Sequence, residues 1–207
     1  MLYRSRSWEV WRYLSYCLVH SDTMHLLCVL SVEIFIGVMM ETVHGWLAVA
    51  TIYMSGVVSG ALGYGVFGQW DSLVGGSAGC YALIAAQLAT LILNWHEDHA
   101  IVIRRTRSHK PPHVFDGNIV RILKMVGLFL FIFLDVVIIV SVKNSKISVI
   151  AHLFGFIGGF LSGILVVKNR KVDPWEKSFK RIVMFGTGLY FFGAILSNFA
   201  MLQMMQS

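Results

Sequence analysis

Ile147-Ser148-Val149-Ile150-Ala151-His152-Leu153-Phe154-Gly155-Phe156-Ile157-Gly158-Gly159-Phe160-Leu161-Ser162-Gly163-Ile164-Leu165-Val166-Val167 contains no Asp, Glu, Lys or Arg. At 1.5 Å per residue such a run makes a helix about 30 Å long, the thickness of a bilayer's hydrocarbon core. A barrel strand would alternate polar and apolar over roughly ten residues, and this run does not. Five more apolar segments flank it: Met24–Met40, Trp46–Phe67, Ala78–Trp95, Met125–Val142 and Ile182–Met204. Breaks are predicted at Glu41–Gly45, Gly68–Gly76, His96–Gly117, Lys143–Lys146 and Lys168–Lys180, which puts all three prolines (Pro111, Pro112, Pro174) in loops.

Composition agrees with six spans. Apolar residues make up 57% of the 207 and charged residues only 14%, against about 45–50% and 25% in soluble domains. A soluble enzyme, a disordered chain and a coiled coil are excluded. Cys17, Cys28 and Cys80 are too few and too scattered for a disulfide framework or a metal cage. The expected fold is all-α: a single polytopic domain over 1–207, with an extracytosolic loop at 1–23 and six transmembrane helices across 24–204.

Charge orients the bundle. Of 17 Lys and Arg, twelve follow the first, third and fifth segments: Arg104, Arg105, Arg107, Lys110, Arg121, Lys124, Lys168, Arg170, Lys171, Lys177, Lys180 and Arg181. The positive-inside rule makes that side cytosolic. The net charge of +6 is therefore a topology signal, because the basic residues hug membrane ends rather than forming a nucleic-acid surface. No cleavable signal peptide precedes the first segment. The N-terminal stretch must cross with Arg4, Arg6 and Arg12, so a preceding helix is expected to be missing from this chain.

The same topology sorts the polar residues. Segments one, three and five all enter from the extracytosolic side. They carry His25, Gly75-Gly76-Ser77-Ala78-Gly79, and His152 about 8 Å deep. Ser77 falls in a glycine-rich turn at a helix N-terminus, where free backbone N–H groups suit an oxyanion. A histidine within reach makes a serine nucleophilic. His152 is the candidate base, and the Ser77 N–H and His25 are the candidate oxyanion donors. Packing is the competing reading, since serine and the Gly155/Gly159 pair also serve close helix contact, and a lone GxSxG match is weak outside a strand–turn–helix setting.

Taken together the motifs resemble those of rhomboid intramembrane serine proteases of the eukaryotic secretory-pathway type, from Trp11 to about Met204. The carriers are Trp11-Arg12, His20 with His25, Gly37-x3-Glu41-x3-Gly45, Gly75 to Leu83, and Ala151-His152 through Gly155 and Gly159. The resemblance implies Ser77 as nucleophile, His152 as base and His25 as oxyanion donor. Tyr81 would pack on His152, and Gly75 and Gly79 would shape the nucleophile's turn. Gly155 and Gly159 would let the fifth segment approach the third; Glu41, Trp11 and Arg12 would be structural.

The implied activity is endoproteolysis of single-pass transmembrane proteins near their extracytosolic ends, without cofactor or metal, in the Golgi or plasma membrane. The implied partners are those substrates and the lipid bilayer, with no nucleic acid. Departures from the family pattern are Val29 where Asn is usual, Ala78 where Gly follows the serine, and the absent first helix. They support an alternative: a catalytically weak or inactive relative that binds transmembrane clients for trafficking or degradation. A transporter would place polar groups along a midplane path on broken helices, which is not the pattern here. Glu33 and Asp135 read as interhelical polar groups, Cys80 as buried packing, and His96-Glu97-Asp98-His99 and His109 to His113 as loops.

Overall fold

The computed structural model describes residues 1–3, 8–68, 72–94, 122, 125–133, 149–169 and 174–206. The histidine-bearing loop motifs and Asp135 lie outside the described residues, as do Ile147, Ser148 and the second half of the fourth segment, residues 134–142. Residues 125–133 of that segment are helical.

The N-terminal stretch is built, not merely extended. β1 (Leu2–Tyr3) pairs antiparallel with β2 (Ser72–Leu73), with Leu2 opposite Leu73. It is followed by a helical turn, α1 (Arg12–Ser15), and a 3-10 turn at Tyr16–Leu18. The pairing brings residues 1–3 and the connection after the second segment to one end of the bundle, as alternating spans require.

Asp22 starts the first span in extended conformation, its carboxylate accepting the His25 N–H at 2.8 Å. This is the usual way of satisfying an orphan donor. α2 (Thr23–Val32), a π-helical turn (Glu33–Gly37) and α3 (Val38–His44) then form one continuous run. The break expected over Glu41–Gly45 is therefore confined to Gly45, whose φ of +89° only glycine adopts without strain.

α4 (Trp46–Phe67) matches expectation. α5 runs Ser77–Leu93, so Ser77 is its first residue; Trp95 lies outside the described residues. α6 is Val149–Val166. α7 is Pro174–Gln206, eight residues earlier than Ile182, and this corrects the placing of Pro174 in a loop. Proline suits a first helical turn, where its missing N–H costs nothing. The polar turns around Lys177 and Lys180 extend the helix beyond its apolar window.

Among the described residues, four helices are long and apolar enough to cross a bilayer: Thr23–His44, Trp46–Phe67, Val149–Val166 and Pro174–Met204. α5, at 17 residues, falls at the short end of the spanning range.

The centre of the bundle is a glycine seam where α4, α5 and α6 meet. In lipid no hydrophobic force drives helices together, so small residues that admit backbone contact do that work. A Cβ at Gly155 would stand 2.4 Å from the Ala78 carbonyl oxygen, and one at Gly159 would stand 2.1 Å from the Ala82 Cα. On α4, a Cβ at Gly60 would meet the Ala78 methyl at 2.7 Å. Polar bonds pin the edges. The Ser59 hydroxyl lies 2.6 Å from the Phe154 carbonyl and 2.5 Å from Tyr190 Oη, joining α4 to α6 and α7. At the opposite end His44 Nδ1 accepts the Lys168 N–H at 3.0 Å, tying α3 to the end of α6.

Candidate active site

The nucleophile's turn is shaped by two glycines and by what packs on them. Gly75 has φ +105°, a value that reserves the position for glycine. Its N–H donates to the Tyr16 carbonyl at 3.3 Å, hanging the turn from the 3-10 segment. Gly76 follows, and its carbonyl accepts the Gly79 and Cys80 N–H groups at 2.9 and 3.2 Å. Ser77 then opens α5, where its own N–H has no intrahelical partner to reach.

Across the seam stands His152, only 4% exposed. Its Nε2 is 2.7 Å from Ser77 Oγ, a length that suits O–H···N transfer. If Nε2 accepts the serine proton, a neutral ring carries its own on Nδ1. Tyr81, one turn after Ser77 on α5, stacks on the imidazole at 4.4 Å between centroids with planes 19° apart. The ring is thus held against Ser77 by the seam below and Tyr81 beside it.

His25 sits on the other flank of the turn. A Cβ on Gly75 would stand 2.4 Å from His25 Cε1 and 3.0 Å from Nε2, so that edge of the ring faces the residue two before Ser77. Its Nδ1 is 3.1 Å from the Ser21 hydroxyl, and the His20 ring meets it edge-on at 5.4 Å. The His25 N–H, then the Ser21 hydroxyl, hold the Asp22 carboxyl below the usual carboxylate range.

The two sequence departures are also placed. The Val29 side chain lies against Gly76, 3.3 Å from where a Cβ would be, so a carbon surface faces the turn. Ala78 is 1% exposed, its methyl turned into the seam against Gly60.

Of the expected structural residues, Arg12 is engaged: its Nε donates to the buried Glu9 carboxylate and a terminal nitrogen to the Met1 carbonyl at 3.0 Å. Trp11 stacks edge-on with Trp8 at 6.3 Å and is otherwise exposed. Glu41 is exposed, and its backbone carbonyl accepts the Gly45 N–H at 2.8 Å, so its visible part in the fold is a main-chain one.

Three residues that sequence reasoning passed over line the back of the turn. Tyr16 is wholly buried and donates to the Val57 carbonyl at 2.9 Å. The Cys17 carbonyl lies beside Gly76, while burial, then Glu33, push the Cys17 thiol up from its ordinary range. Such a thiol is not an activated nucleophile. Tyr53 fills the space under Gly76 and Gly79. Its signal was present in the spacing Tyr53, Gly56, Val57, Gly60, one helical face pairing an aromatic with the seam's small residues.

Known proteins give the arrangement a family. A model of the rhomboid domain matches residues 7–169. The chain is 30% identical to Rhomboid-related protein 1 of Caenorhabditis elegans over 91% of its own length and 49% of that protein's. It is 29% identical to Rhomboid-like protease 2 of Toxoplasma gondii, covering 80% of this chain and 51% of the relative. To Inactive rhomboid-related protein 2 of Caenorhabditis elegans it is 26% identical, covering 79% and 42%. The chain spans about half the length of these relatives, or less. With a family match over most of its length and Ser77 against His152 at the seam, the chain is a member of the rhomboid family and an integral membrane protein.

Proposed function

We propose that the chain is an intramembrane serine endopeptidase that cuts single-pass transmembrane proteins near the extracytosolic end of their span. The observation that carries this reading is the 2.7 Å contact between Ser77 Oγ and His152 Nε2, with Tyr81 stacked on the base. His152 takes the serine proton as Oγ attacks the scissile carbonyl. It then returns that proton to the leaving amine. Water repeats the cycle to release the acyl group. The Ser77 N–H and the His25 side chain stabilise the oxyanion. Gly75, Gly79, Gly155 and Gly159 maintain the approach of the two elements, and Trp11, Arg12 and Glu41 act through the fold. Substrates must expose a carbonyl, so a helix with weak local structure is the fitting one. The Golgi or plasma membrane is the proposed place of action.

A second reading has an observation of its own. Val29 presents only carbon to the turn, and removing one oxyanion donor from other hydrolases costs roughly 10²–10³ in rate. One relative is also named inactive. On this reading the chain binds transmembrane clients without cutting them. Co-expression with a single-span substrate separates the two. Cleavage by wild type that falls on the order of 10⁶-fold in Ser77→Ala and in His152→Ala, with fluorophosphonate labelling of Ser77, supports the protease. Equal processing in all three would overturn it, and client capture that survives Ser77→Ala without labelling favours the binder.

A further inference from the structure

Glu33 is a carboxyl at membrane depth, an expensive placement that calls for a reason. It opens the π-helical turn Glu33–Gly37, and such turns are rare and recur at functional sites. Its Oε1 accepts the Tyr53 hydroxyl at 2.7 Å. The same hydroxyl lies 3.5 Å from the Gly76 carbonyl oxygen, and a Cβ at Gly76 would stand 2.6 Å from it. The ring is pressed equally hard on the next turn, since a Cβ at Gly79 would meet its carbons at 2.3 and 2.6 Å. Tyr53 is therefore a floor under the two glycines that bracket Ser77, and Glu33 is what anchors the floor.

We propose that Tyr53, anchored by Glu33, is a positioning residue that sets the orientation of the Gly76–Ser77 peptide for oxyanion binding. In a planar trans peptide the C=O and N–H point opposite ways. The Gly76 carbonyl points down α5 to the Gly79 and Cys80 N–H groups, with the Tyr53 hydroxyl alongside. A carbonyl fixed in that direction aims the Ser77 N–H the other way, out of the helix end. Tilting the peptide by letting Tyr53 move would swing that N–H off the oxyanion while leaving Ser77 Oγ and His152 in place. Neither residue touches substrate; both act through the turn.

This inference rests on the protease reading, and one experiment separates the two. Wild type, Tyr53→Phe, Glu33→Gln, Glu33→Leu and Ser77→Ala are reconstituted at one lipid ratio with a single-span substrate. kcat is normalised to sites titrated with a fluorophosphonate. Tyr53→Phe is expected to lower kcat about tenfold, the worth of one well-placed hydrogen bond, with KM within about twofold. Glu33→Leu should match it, and Glu33→Gln, which keeps the acceptor, should restore at least about half of the wild-type rate. kcat per titrated site equal to wild type in Tyr53→Phe would overturn the proposal, even if its melting temperature falls, because that is what a merely structural tyrosine would do. A Glu33→Gln variant as slow as Glu33→Leu would overturn the anchor. Wild type that neither cleaves nor labels would instead remove the protease reading, and this inference with it.

Discussion

α6 and α7 are both long, apolar and rich in glycine, yet their glycines do opposite things. On α6, Gly155, Gly158, Gly159 and Gly163 each face a neighbouring helix so closely that a methyl group would overlap it. On α7, Gly186, Gly188 and Gly193 have nothing within 4 Å of where a Cβ would be, and the exposed Ile182, Phe185, Leu189 and Phe192 stand around them. α6 is held by backbone contact. α7 is held by a few polar handles, chiefly Tyr190 to Ser59, and Asn198, whose amide donates to the Leu62 carbonyl at 2.8 Å. The difference teaches that glycine marks close packing only where a neighbouring element stands opposite, as Ala78, Ala82 and Ala86 of α5 do for Gly155, Gly159 and Gly163.

Gly159→Leu is the hardest blow to this contrast. Its first carbon would lie 2.1 Å from the Ala82 Cα, a backbone atom that cannot step aside. The variant is expected not to assemble, read as loss of a cooperative melt and rapid turnover in cells. Gly155→Ala comes next. Its methyl would stand 2.4 Å from the Ala78 carbonyl oxygen, directly beneath the Ser77–His152 contact. Displacing the helices by about 1 Å is expected to cost on the order of 10² in cleavage, while the melting temperature falls only modestly. Wild-type cleavage by Gly155→Ala would break the link between seam and site.

How much of this was legible follows from the same physics. The helices around Trp46–Phe67, Ala78–Leu93 and Val149–Val166, the meeting of Ser77 and His152, and the Gly155/Gly159 face were readable, because hydropathy and helical spacing are local properties. The start of α7 at Pro174 was not, because the polar turns around Glu176 and Lys180 belong to a helix that outruns its apolar window. Continuity through Glu41 is hidden for a similar reason: a polar residue near a membrane end reads as a break, although only Gly45 has the conformation to make one. Tyr53 and Tyr16 escaped notice because their role exists only once distant helices have packed. The direction of the Ala78 methyl, into the seam against Gly60, exists only once α4 and α5 have packed.

Asn198→Leu tests the handle on α7. Its amide also donates to the Ala194 carbonyl, and a Cβ at Gly65 would stand only 1.8 Å from its Oδ1, so the side chain fills a notch in α4. Its Oδ1 accepts the Tyr13 hydroxyl at 3.3 Å, and loss of this bond and of the one to Leu62 is expected to cost about 1–2 kcal/mol, in line with polar contacts between membrane helices. The measurement is a lower melting temperature with unchanged kcat per titrated site, since Asn198 bonds to Tyr13, Leu62 and Ala194 and to neither reacting group.

Gly193→Ala has the smallest effect and the opposite sign. Alanine is the better helix former by up to about 1 kcal/mol in water. The new methyl would enter open space, where it costs no contact and meets lipid as readily as its neighbours do. The melting temperature is therefore expected to hold or rise slightly, where the same exchange at Gly155 lowers it. A clear fall at Gly193 would mean that this face of α7 is covered by something that the chain's own helices do not supply. α7 would then belong with α6, as a helix whose glycines mark a contact.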